Sequence, residues 1–351
     1  MRALTYAAFG APLLVSEVPD AVAPPGGAVV RVVASGLCRS DWHGWMGHDG
    51  DITTFPHVPG HELAGVVDSV GAGVDPSWVG RRVTAPFVMA CGSCEVCRAG
   101  DGQVCPHQRQ PGFTDPGSFA ELVVVHAAAT NLVALPEGLD ERKAAGLGCR
   151  VATAHRAVVS RARLEAGESV VVIGAGGVGL AAVAVARSRG ARVCAVDVSA
   201  ASLDRALLNG ADEVVDASIG PQRVLDAVAH WSGGGVDVSI DALGSPEACR
   251  TGILSLRRRG RHVQVGLLPP EAGRADVPME RVIAWELDVL GSHGMAAADY
   301  ASLLDDVVSR RLDLADLLAP DEPLGLAGAG AALAAMGTTP SRGIVTVDPT
   351  R

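Results

Sequence analysis

The sequence predicts an α/β protein of two domains, an irregular β-barrel or sandwich followed by a doubly wound parallel sheet. Its 351 residues are too many for one ordinary hydrophobic core. Short β segments separated by turns occupy roughly 29–125, and apolar strands alternate with alanine-rich helical segments after Arg150. We therefore expect a first domain over 1–150 and a second domain over 151–291.

The first half of the chain is predicted to be mostly β-structure. Segments such as AVVRVVASG, GVVDSVG, RRVTAPFV and AELVVV are each bounded by Gly, Pro, Asp or Ser. This spacing is typical of an irregular antiparallel barrel or sandwich rather than of a helical domain.

The second half follows a different pattern, in which strands and helices alternate. The segments SVVVIG, LAAVAVARSRG, RVCAVD, SLDRALLNG and DEVVD occur in that order. Strand, helix, strand in sequence requires crossover connections and therefore predicts a parallel sheet with helices on both faces. Residues 292–351 contain two more helical segments and a closing strand, RGIVTVDP.

Composition and charge limit the functional classes. The chain is 48% hydrophobic and 19% charged, as folded globular proteins are. A net charge of −10 without a basic block argues against nucleic acid as a partner. The N-terminal residues lack the apolar run of a secretory signal, and the longest apolar stretch, from Val170, is interrupted by glycines. We expect a cytoplasmic protein with no membrane partner.

A glycine motif indicates a dinucleotide site. Gly174, Gly176 and Gly179 form G-x-G-x-x-G directly after the apolar strand 170–173 and at the start of a predicted helix. The first glycine allows a tight turn, the second lets a pyrophosphate approach the backbone, and the third lets helix pack on strand. The helix N-terminus offers N–H groups to the phosphates. The alternative is a glycine-rich turn in a flavodoxin-like sheet.

Asp197 ends the next predicted strand, RVCAVD, about twenty residues further on. A carboxylate at this place accepts hydrogen bonds from the adenosine ribose hydroxyls and repels a 2′-phosphate. It therefore favours NAD over NADP as the cofactor. The alternative for Asp197 is a plain helix N-cap.

A cluster of cysteines indicates a closed zinc site. The chain has eight cysteines, and without a secretory signal clustered cysteines more often bind metal than form disulfides. Four thiolates complete a tetrahedral Zn²⁺ site and leave no position for substrate, so this zinc would be structural. An iron–sulfur cluster is the alternative, while Cys194 and Cys249 are expected to pack in the core. The four clustered residues are Cys91, Cys94, Cys97 and Cys105.

Five motifs occur in one order along the chain: C-R-S-D-x-H from Cys38, G-H-E from Gly60, the cysteine cluster, G-C at Gly148, and the glycine motif. In this order and spacing the sequence resembles the zinc-containing medium-chain alcohol dehydrogenases over nearly its whole length. The resemblance implies a GroES-like catalytic domain carrying both zinc sites, a Rossmann cofactor domain, and a return of residues 292–351 to the catalytic domain.

The resemblance implies a second, catalytic zinc held by Cys38, His61 and Cys149. Two thiolates and one imidazole leave the fourth zinc position open to substrate. Asp41 would orient His61 through its other ring nitrogen, and Glu62 lies close to the metal in relatives. A zinc ion acting as a Lewis acid lowers the pKa of an alcohol, and the nicotinamide cofactor accepts the hydride.

The resemblance also assigns a proton relay and further cofactor contacts. Ser40 would carry the first hydroxyl of the relay, the cofactor ribose would follow, and His43 would be the base near solvent. Arginine suits pyrophosphate because its guanidinium binds phosphate through two N–H groups. The further residues expected at the cofactor are Arg39, Gly177, Val178, Val265 and Arg342.

The resemblance implies that Trp45 and Phe87, with Trp42 as a further candidate, occupy positions that line the substrate channel in relatives, which suggests an aliphatic or aromatic alcohol. Each of these side chains could instead pack the barrel core. Polyol dehydrogenases of the superfamily usually have glutamate in place of the second zinc cysteine, so Cys149 argues against a sorbitol- or threonine-type substrate. The absence of the longer insertion of animal-type dimers suggests a homotetramer rather than a dimer.

Three other functions are compatible with parts of the sequence. One is a zinc-dependent aldehyde or ketone reductase that works mainly in the reductive direction, with NADPH as an alternative cofactor. A second is a non-catalytic nucleotide-binding protein, which the retained zinc ligands and relay residues argue against. A third is a zinc-finger interaction protein, which the net charge of −10 and the glycine motif argue against.

Overall fold

The computed structural model of the chain describes residues 1–268, 273–319, 322–337 and 343–351. Two short π-helical turns, Leu147–Val151 and Arg156–Arg161, flank helix α5. The strands are β1 Arg2–Thr5, β2 Leu14–Glu17, β3 Ala28–Leu37, β4 Glu62–Val70, β5 Arg82–Thr84, β6 Leu122–Val125, β7 Val133–Ala134, β8 Ser169–Ile173, β9 Arg192–Asp197, β10 Glu213–Asp216, β11 Val236–Asp241, β12 Leu256–Gln264, β13 Asp288–Gly291 and β14 Val345–Val347. The helices are α1 Arg39–Trp45, α2 Glu95–Arg98, α3 Ala128–Asn131, α4 Glu141–Ala145, α5 Ala152–His155, α6 Gly177–Ser188, α7 Ala200–Leu208, α8 Pro221–Ser232, α9 Pro246–Leu254, α10 Met279–Trp285, α11 Tyr300–Val308 and α12 Leu326–Ala335.

The first half of the chain forms an antiparallel sheet in the order β14-β3-β4-β5-β7, with β6 also paired to β3. Strand β3 is central because most of its side chains are apolar and buried, as a strand covered on both faces requires. Strand β14, from the end of the chain, pairs antiparallel with β3 so that Val345 lies opposite Leu37. The C-terminal segment thus completes the sheet from which the first metal-ligating candidate, Cys38, extends.

The second half forms a parallel sheet in the order β10-β9-β8-β11-β12-β13. The strand order reverses between β8 and β11, and ligands of doubly wound sheets bind at such a switch point, beyond the carboxyl ends of the strands. The predicted α/β fold, an antiparallel β domain followed by a doubly wound parallel sheet, is confirmed.

Alternate residues of the parallel strands supply two hydrophobic cores, one on each face. Val170 and Val172 pack with α5, α6 and α11 on one face, while Val171 and Ile173 pack with α8 and α9 on the other. Cys194 and Cys249 both lie in this second core, as expected for cysteines that only pack. Among the described residues, no helix is long and apolar enough to cross a membrane.

The segment that joins the domains is fully packed. The turn 147–151 and helix α5 lie against α6, and Tyr300 of α11 donates a hydrogen bond from its buried hydroxyl to the carbonyl of Leu147 over 2.9 Å. This bond supplies the partner that the buried hydroxyl of Tyr300 requires. Cys149 is therefore held on a rigid segment between the two domains.

Replacing Gly179 with alanine should destabilise the second domain, because a Cβ at this position would overlap the carbonyl oxygen of Gly174. We expect Gly179→Ala to lower the free energy of unfolding by about 1–3 kcal/mol, as overpacking usually does, measured by urea unfolding. Gly176→Ala is the matched control, since a Cβ there meets nothing within 4 Å. Equal stabilities of the two variants would contradict this packing argument.

Candidate functional site

Four buried side chains converge at the edge of the first domain. The ligand atoms of Cys38, His61, Glu62 and Cys149 all lie within 4.8 Å of one another. Two sulfurs and an imidazole nitrogen are the donors that zinc prefers, and their separation suits one shared ion. The structure thus brings together the three residues predicted to hold a catalytic zinc.

The backbone positions these residues from three separate elements. Cys38 is the residue before α1, His61 directly precedes β4, and Cys149 lies in the π-helical turn between the domains. Gly60 has φ +105°, and a Cβ there would approach the backbone nitrogen of Phe119 to 2.6 Å, so the turn into His61 requires glycine.

The buried carboxylate of Asp41 connects these elements. It accepts hydrogen bonds from the backbone N–H of Cys38 at 2.9 Å and of Gly60 at 3.2 Å, and pairs with Nδ1 of His61 at 2.7 Å. Burial lowers the pKa of His61, but the charge and hydrogen bond of Asp41, together with those of Cys38, outweigh burial and raise that pKa well above its ordinary value. A carboxylate on Nδ1 fixes the ring and strengthens the other nitrogen as a metal donor.

The other ring nitrogen of His61 identifies the metal position. Its Nε2 is buried and has no hydrogen-bond partner among the described residues. A buried polar atom without a partner costs about 1–3 kcal/mol, so natural proteins rarely leave one unpaired. A metal ion shared with the sulfurs of Cys38 and Cys149 would satisfy it, and the donor set therefore fits zinc.

The two thiols have different acidities. A hydrogen bond from Cys149 lowers the pKa of the Cys38 thiol well below its ordinary value, and the positive charge of Arg150 lowers it further. The same bond, together with burial, raises the pKa of Cys149. One thiolate is thus favoured even without a metal, and thiolates are the form that binds zinc.

Glu62 is paired with a residue that the sequence reasoning missed, Arg150. The backbone N–H of Arg150 donates to Oε1 of Glu62 at 2.9 Å, its Nε lies 3.1 Å from both carboxylate oxygens, and its Nη2 forms a further short ion pair. Both side chains are buried. The available signal was a charged residue directly after Cys149 within the apolar run AAGLGCRVATA.

The predicted relay residues lie on α1, which begins beside the metal cluster. The hydroxyl of Ser40 is 3.9 Å from the sulfur of Cys38. His43 is half-buried, and its Nδ1 lies 3.0 Å from Nδ1 of His48, a second imidazole that the sequence reasoning did not select. Burial, and then the charges of His48 and Arg39, lower the pKa of His43 below its ordinary value.

Arg39 is exposed at the start of α1. It donates from Nη1 to the carbonyl of Met336 at 2.6 Å and stacks its guanidinium over Trp42 at 5.0 Å. Trp42 itself packs from α1 against the apolar cluster that includes α12. Arg342, the other arginine expected at the pyrophosphate, lies outside the described residues.

Two aromatic rings lie beside the imidazole of His61. The ring of Phe87 is 6.0 Å from the imidazole of His61, and that of Phe113 is 5.4 Å away. His293 stacks edge-on against Phe87 at 5.4 Å. Phe113 and His293 were missed because they come from loops distant in sequence, without any local motif.

Trp45 lies elsewhere, contrary to the prediction that it lines the substrate pocket. Its indole packs in the apolar cluster of Leu37 and Leu333 and donates its N–H to the carbonyl of Ala11 at 2.8 Å. Because α1 turns about 100° per residue, Trp45 faces α12 rather than His61. Its position corresponds to the core-packing alternative.

The four clustered cysteines form a second donor group near the surface. Their sulfurs lie within 4.8 Å of one another, with Cys94 and Cys97 3.4 Å apart. The N–H groups of Ser93 and Cys94 point at Cys91 and lower its pKa to about 5. None of the eight cysteines forms a disulfide. A site of four sulfurs has the composition of a closed structural zinc centre.

The glycine motif forms the turn from β8 into α6 at the switch point of the parallel sheet. Gly174 has φ +91°, which disfavours other residues, and a Cβ on Gly176 would meet nothing within 4 Å. The turn is thus open where a phosphate would approach. The carboxylate of Asp197 accepts hydrogen bonds from the N–H of Ala175 at 2.7 Å and of Ser199 at 2.8 Å.

Asp197 is not the helix N-cap considered as an alternative, because Ser199 occupies that position in α7.

The remaining predicted cofactor residues lie at the carboxyl edge of the parallel sheet. Gly177 and Val178 open α6 and are half-buried. Val265 follows β12, and its N–H donates to the carbonyl of Asp241 at 2.9 Å.

Comparisons with known proteins agree with this arrangement. The alcohol dehydrogenase GroES-like domain family matches residues 24–137, and the zinc-binding dehydrogenase family matches residues 177–309. An alcohol dehydrogenase of Geobacillus stearothermophilus is 34% identical over 297 residues, covering 83% of this chain and 84% of its own. A sorbitol dehydrogenase of Halalkalibacterium halodurans is 33% identical over 310 residues, covering 87% of each chain.

A solved structure has the same overall fold. The alcohol dehydrogenase from Thermus sp. ATN1 is 29% identical, covers 99% of both chains and superposes with a TM-score of 0.89. Because the relatives include both alcohol and sorbitol dehydrogenases, they agree on the chemistry but not on the substrate. The chain therefore belongs to the zinc-containing medium-chain alcohol dehydrogenase family and is an oxidoreductase.

Proposed function

We propose that the protein is a zinc-dependent, NAD-linked alcohol dehydrogenase that interconverts a primary or secondary alcohol with the corresponding aldehyde or ketone. The observation that carries this proposal is the buried, unpartnered Nε2 of His61 among the sulfurs of Cys38 and Cys149. This donor set leaves one coordination position for substrate.

Cys38, His61 and Cys149 would hold the catalytic zinc, which when bound supplies a Lewis acid for the alcohol oxygen. Asp41 keeps the imidazole of His61 in the orientation that presents Nε2. Arg150 binds both carboxylate oxygens of Glu62. Glu62 would therefore remain paired with Arg150 and leave the open coordination position of the zinc to the substrate.

The turn from Gly174 to Gly179 would bind the cofactor pyrophosphate through the N–H groups at the start of α6. NAD supplies the hydride acceptor when bound. Asp197 supports NAD rather than NADP, because its carboxylate is half-buried at the end of β9 and fixed there by two backbone N–H groups. A fixed negative charge beside the ribose would repel a 2′-phosphate.

Alcohol oxidation releases a proton, and the residues of α1 offer a route for it. Ser40, beside Cys38, would pass the proton from its hydroxyl by way of the cofactor ribose to the imidazole of His43. His48 continues the line of imidazoles toward solvent, since it is exposed and 3.0 Å from His43.

Phe87 and Phe113 support an apolar substrate, because their rings flank His61 and offer no hydrogen-bond donor or acceptor. We therefore propose an aliphatic or aromatic alcohol rather than a polyol. The four-cysteine centre would hold a second zinc with a structural role.

Removing one ligand from each donor group should separate the two zinc sites. We expect Cys149→Ser and Cys94→Ser each to lower the zinc content from two ions to one per chain, measured by elemental analysis. Cys149→Ser should abolish alcohol oxidation with the fold retained by circular dichroism, whereas Cys94→Ser should mainly lower the melting temperature. Oxidation by zinc-depleted Cys149→Ser would contradict the mechanism.

Replacing Asp197 with glycine should weaken the preference for NAD. The ratio of kcat/KM for NAD to that for NADP is expected to fall at least about tenfold, equivalent to ~1.4 kcal/mol. Asp197→Asn is the control for geometry, since it keeps an acceptor oxygen for the backbone N–H groups without the charge. An unchanged ratio in both variants would show that Asp197 only shapes the turn.

The pH dependence of oxidation should reflect His43. A base accepts a proton only when it is neutral, so activity should rise with pH through the pKa of His43. Because burial and the neighbouring charges lower this pKa, the rise should be centred below 6.5. We expect His43→Ala to lose this transition in kcat, and a profile identical to that of the wild type would remove His43 from the relay.

A further inference from the structure

Arg150 is an unusual residue for its surroundings, because it is a buried arginine next to a metal-ligating candidate. Its side chain is 5% exposed, and that of Glu62 is fully buried. A buried charge needs a partner with good geometry, and Glu62 meets this requirement with both carboxylate oxygens. The pair therefore fixes the guanidinium at one end.

Glu62 itself has no freedom to follow a moving arginine. It lies opposite Gly36 in the pairing of β3 with β4, and a Cβ at Gly36 would overlap its Oε2. The backbone N–H of Arg150 also binds Oε1 at 2.9 Å. The carboxylate of Glu62 is thus enclosed by Gly36 of β3 and held by the backbone N–H of Arg150.

The stem of the Arg150 side chain reaches the other functional element of the chain. A Cβ on Gly177 would lie 2.5 Å from Cδ of Arg150 and 3.5 Å from Nη1. Gly177 belongs to the turn predicted to bind the cofactor phosphates and is the first residue of α6. One side chain therefore touches the glycine turn with its stem and the metal cluster with its head.

We propose that Arg150 is a positioning residue that couples the nucleotide-binding turn to the metal cluster by holding Glu62 in place while resting against Gly177. The inference rests on the proposed function of both sites. The arginine stem cannot yield to pressure from Gly177 without moving its guanidinium, and the guanidinium cannot move without releasing Glu62. The position of a carboxylate that lies within 4.8 Å of the other candidate ligand atoms thus depends on the nucleotide-binding turn.

Two neighbouring glycines provide a matched test. Gly177→Ala suits the helical backbone but presses on Arg150, whereas a Cβ at Gly176 meets nothing within 4 Å. With cobalt(II) replacing the catalytic zinc and no cofactor present, we expect Gly177→Ala to shift the visible absorption bands of cobalt. Gly176→Ala should leave them unchanged, although its methyl group obstructs the phosphates. The signal of the catalytic site is isolated by subtracting the spectrum of Cys149→Ser.

The coupling also predicts kinetic effects. Displacement of groups around a reacting centre lowers rates steeply, so kcat/KM for the alcohol at saturating NAD should fall roughly tenfold to a hundredfold in Gly177→Ala. Arg150→Lys keeps the charge but loses the two-pronged contact, and we expect a comparable loss and a cobalt shift.

A double background tests the route. In Arg150→Ala combined with Glu62→Gln, which removes the stem without leaving an unpaired buried charge, Gly177→Ala should cause no further shift of the cobalt bands. A further shift as large as in the wild type, or an unchanged spectrum in Gly177→Ala alone, would overturn the coupling through Arg150. If the wild type binds no metal that depends on Cys149, the proposed function fails as well, so the two failures are distinguishable.

Discussion

The hydrogen bonds of one buried carboxylate, that of Asp41, hold the candidate metal site together. They join the residue before α1, the turn before β4 and the imidazole of His61, which belong to separate parts of the chain. Without Asp41 two backbone N–H groups and a ring nitrogen would be buried and unpaired, each costing about 1–3 kcal/mol. The carboxylate is therefore both a structural link and the group that presents Nε2 of His61 to a metal.

The charges around this centre explain why a cation belongs there. Cys38, Cys149 and Glu62 can all carry negative charge when ionised, and all are buried beside one another. The two cationic side chains that face the cluster are already matched by carboxylates, Arg150 by Glu62 and His61 by Asp41. Ionised thiols in a medium of low dielectric constant need a counter-charge, and a divalent ion provides it together with directional bonds. The electrostatic argument and the unpaired nitrogen of His61 thus point independently to a metal.

Local spacing predicted the glycine turn and the four-cysteine cluster, and the family resemblance supplied the three distant ligands Cys38, His61 and Cys149. The residues that were missed lie outside these motifs and reach the site only through contacts between distant segments. The glycine turn and the four-cysteine cluster lie on short stretches of chain, so their residue types and intervals determine their shape. Phe113, His293 and the partner of Glu62 are brought in by loops and by the domain junction, which no local pattern encodes. Trp45 shows the reverse error, because proximity in sequence to Ser40 and His43 suggested a pocket position while the helical rotation directs its ring to the core.

The junction segment has a consequence for how the two domains depend on each other. Its turn 147–151 supplies Cys149 to the candidate metal cluster, whose other members belong to the first domain. Arg150, which follows Cys149 in the same turn, contacts the start of α6 in the second domain. Metal binding at this cluster would therefore stabilise the packing of the junction against the barrel, since an ion that binds only the folded arrangement favours it by mass action. The same turn packs against α6, and so it sets where the glycine turn lies relative to the candidate metal cluster. Under the proposed function, metal affinity, domain packing and the alignment of cofactor with substrate would all depend on this one short segment.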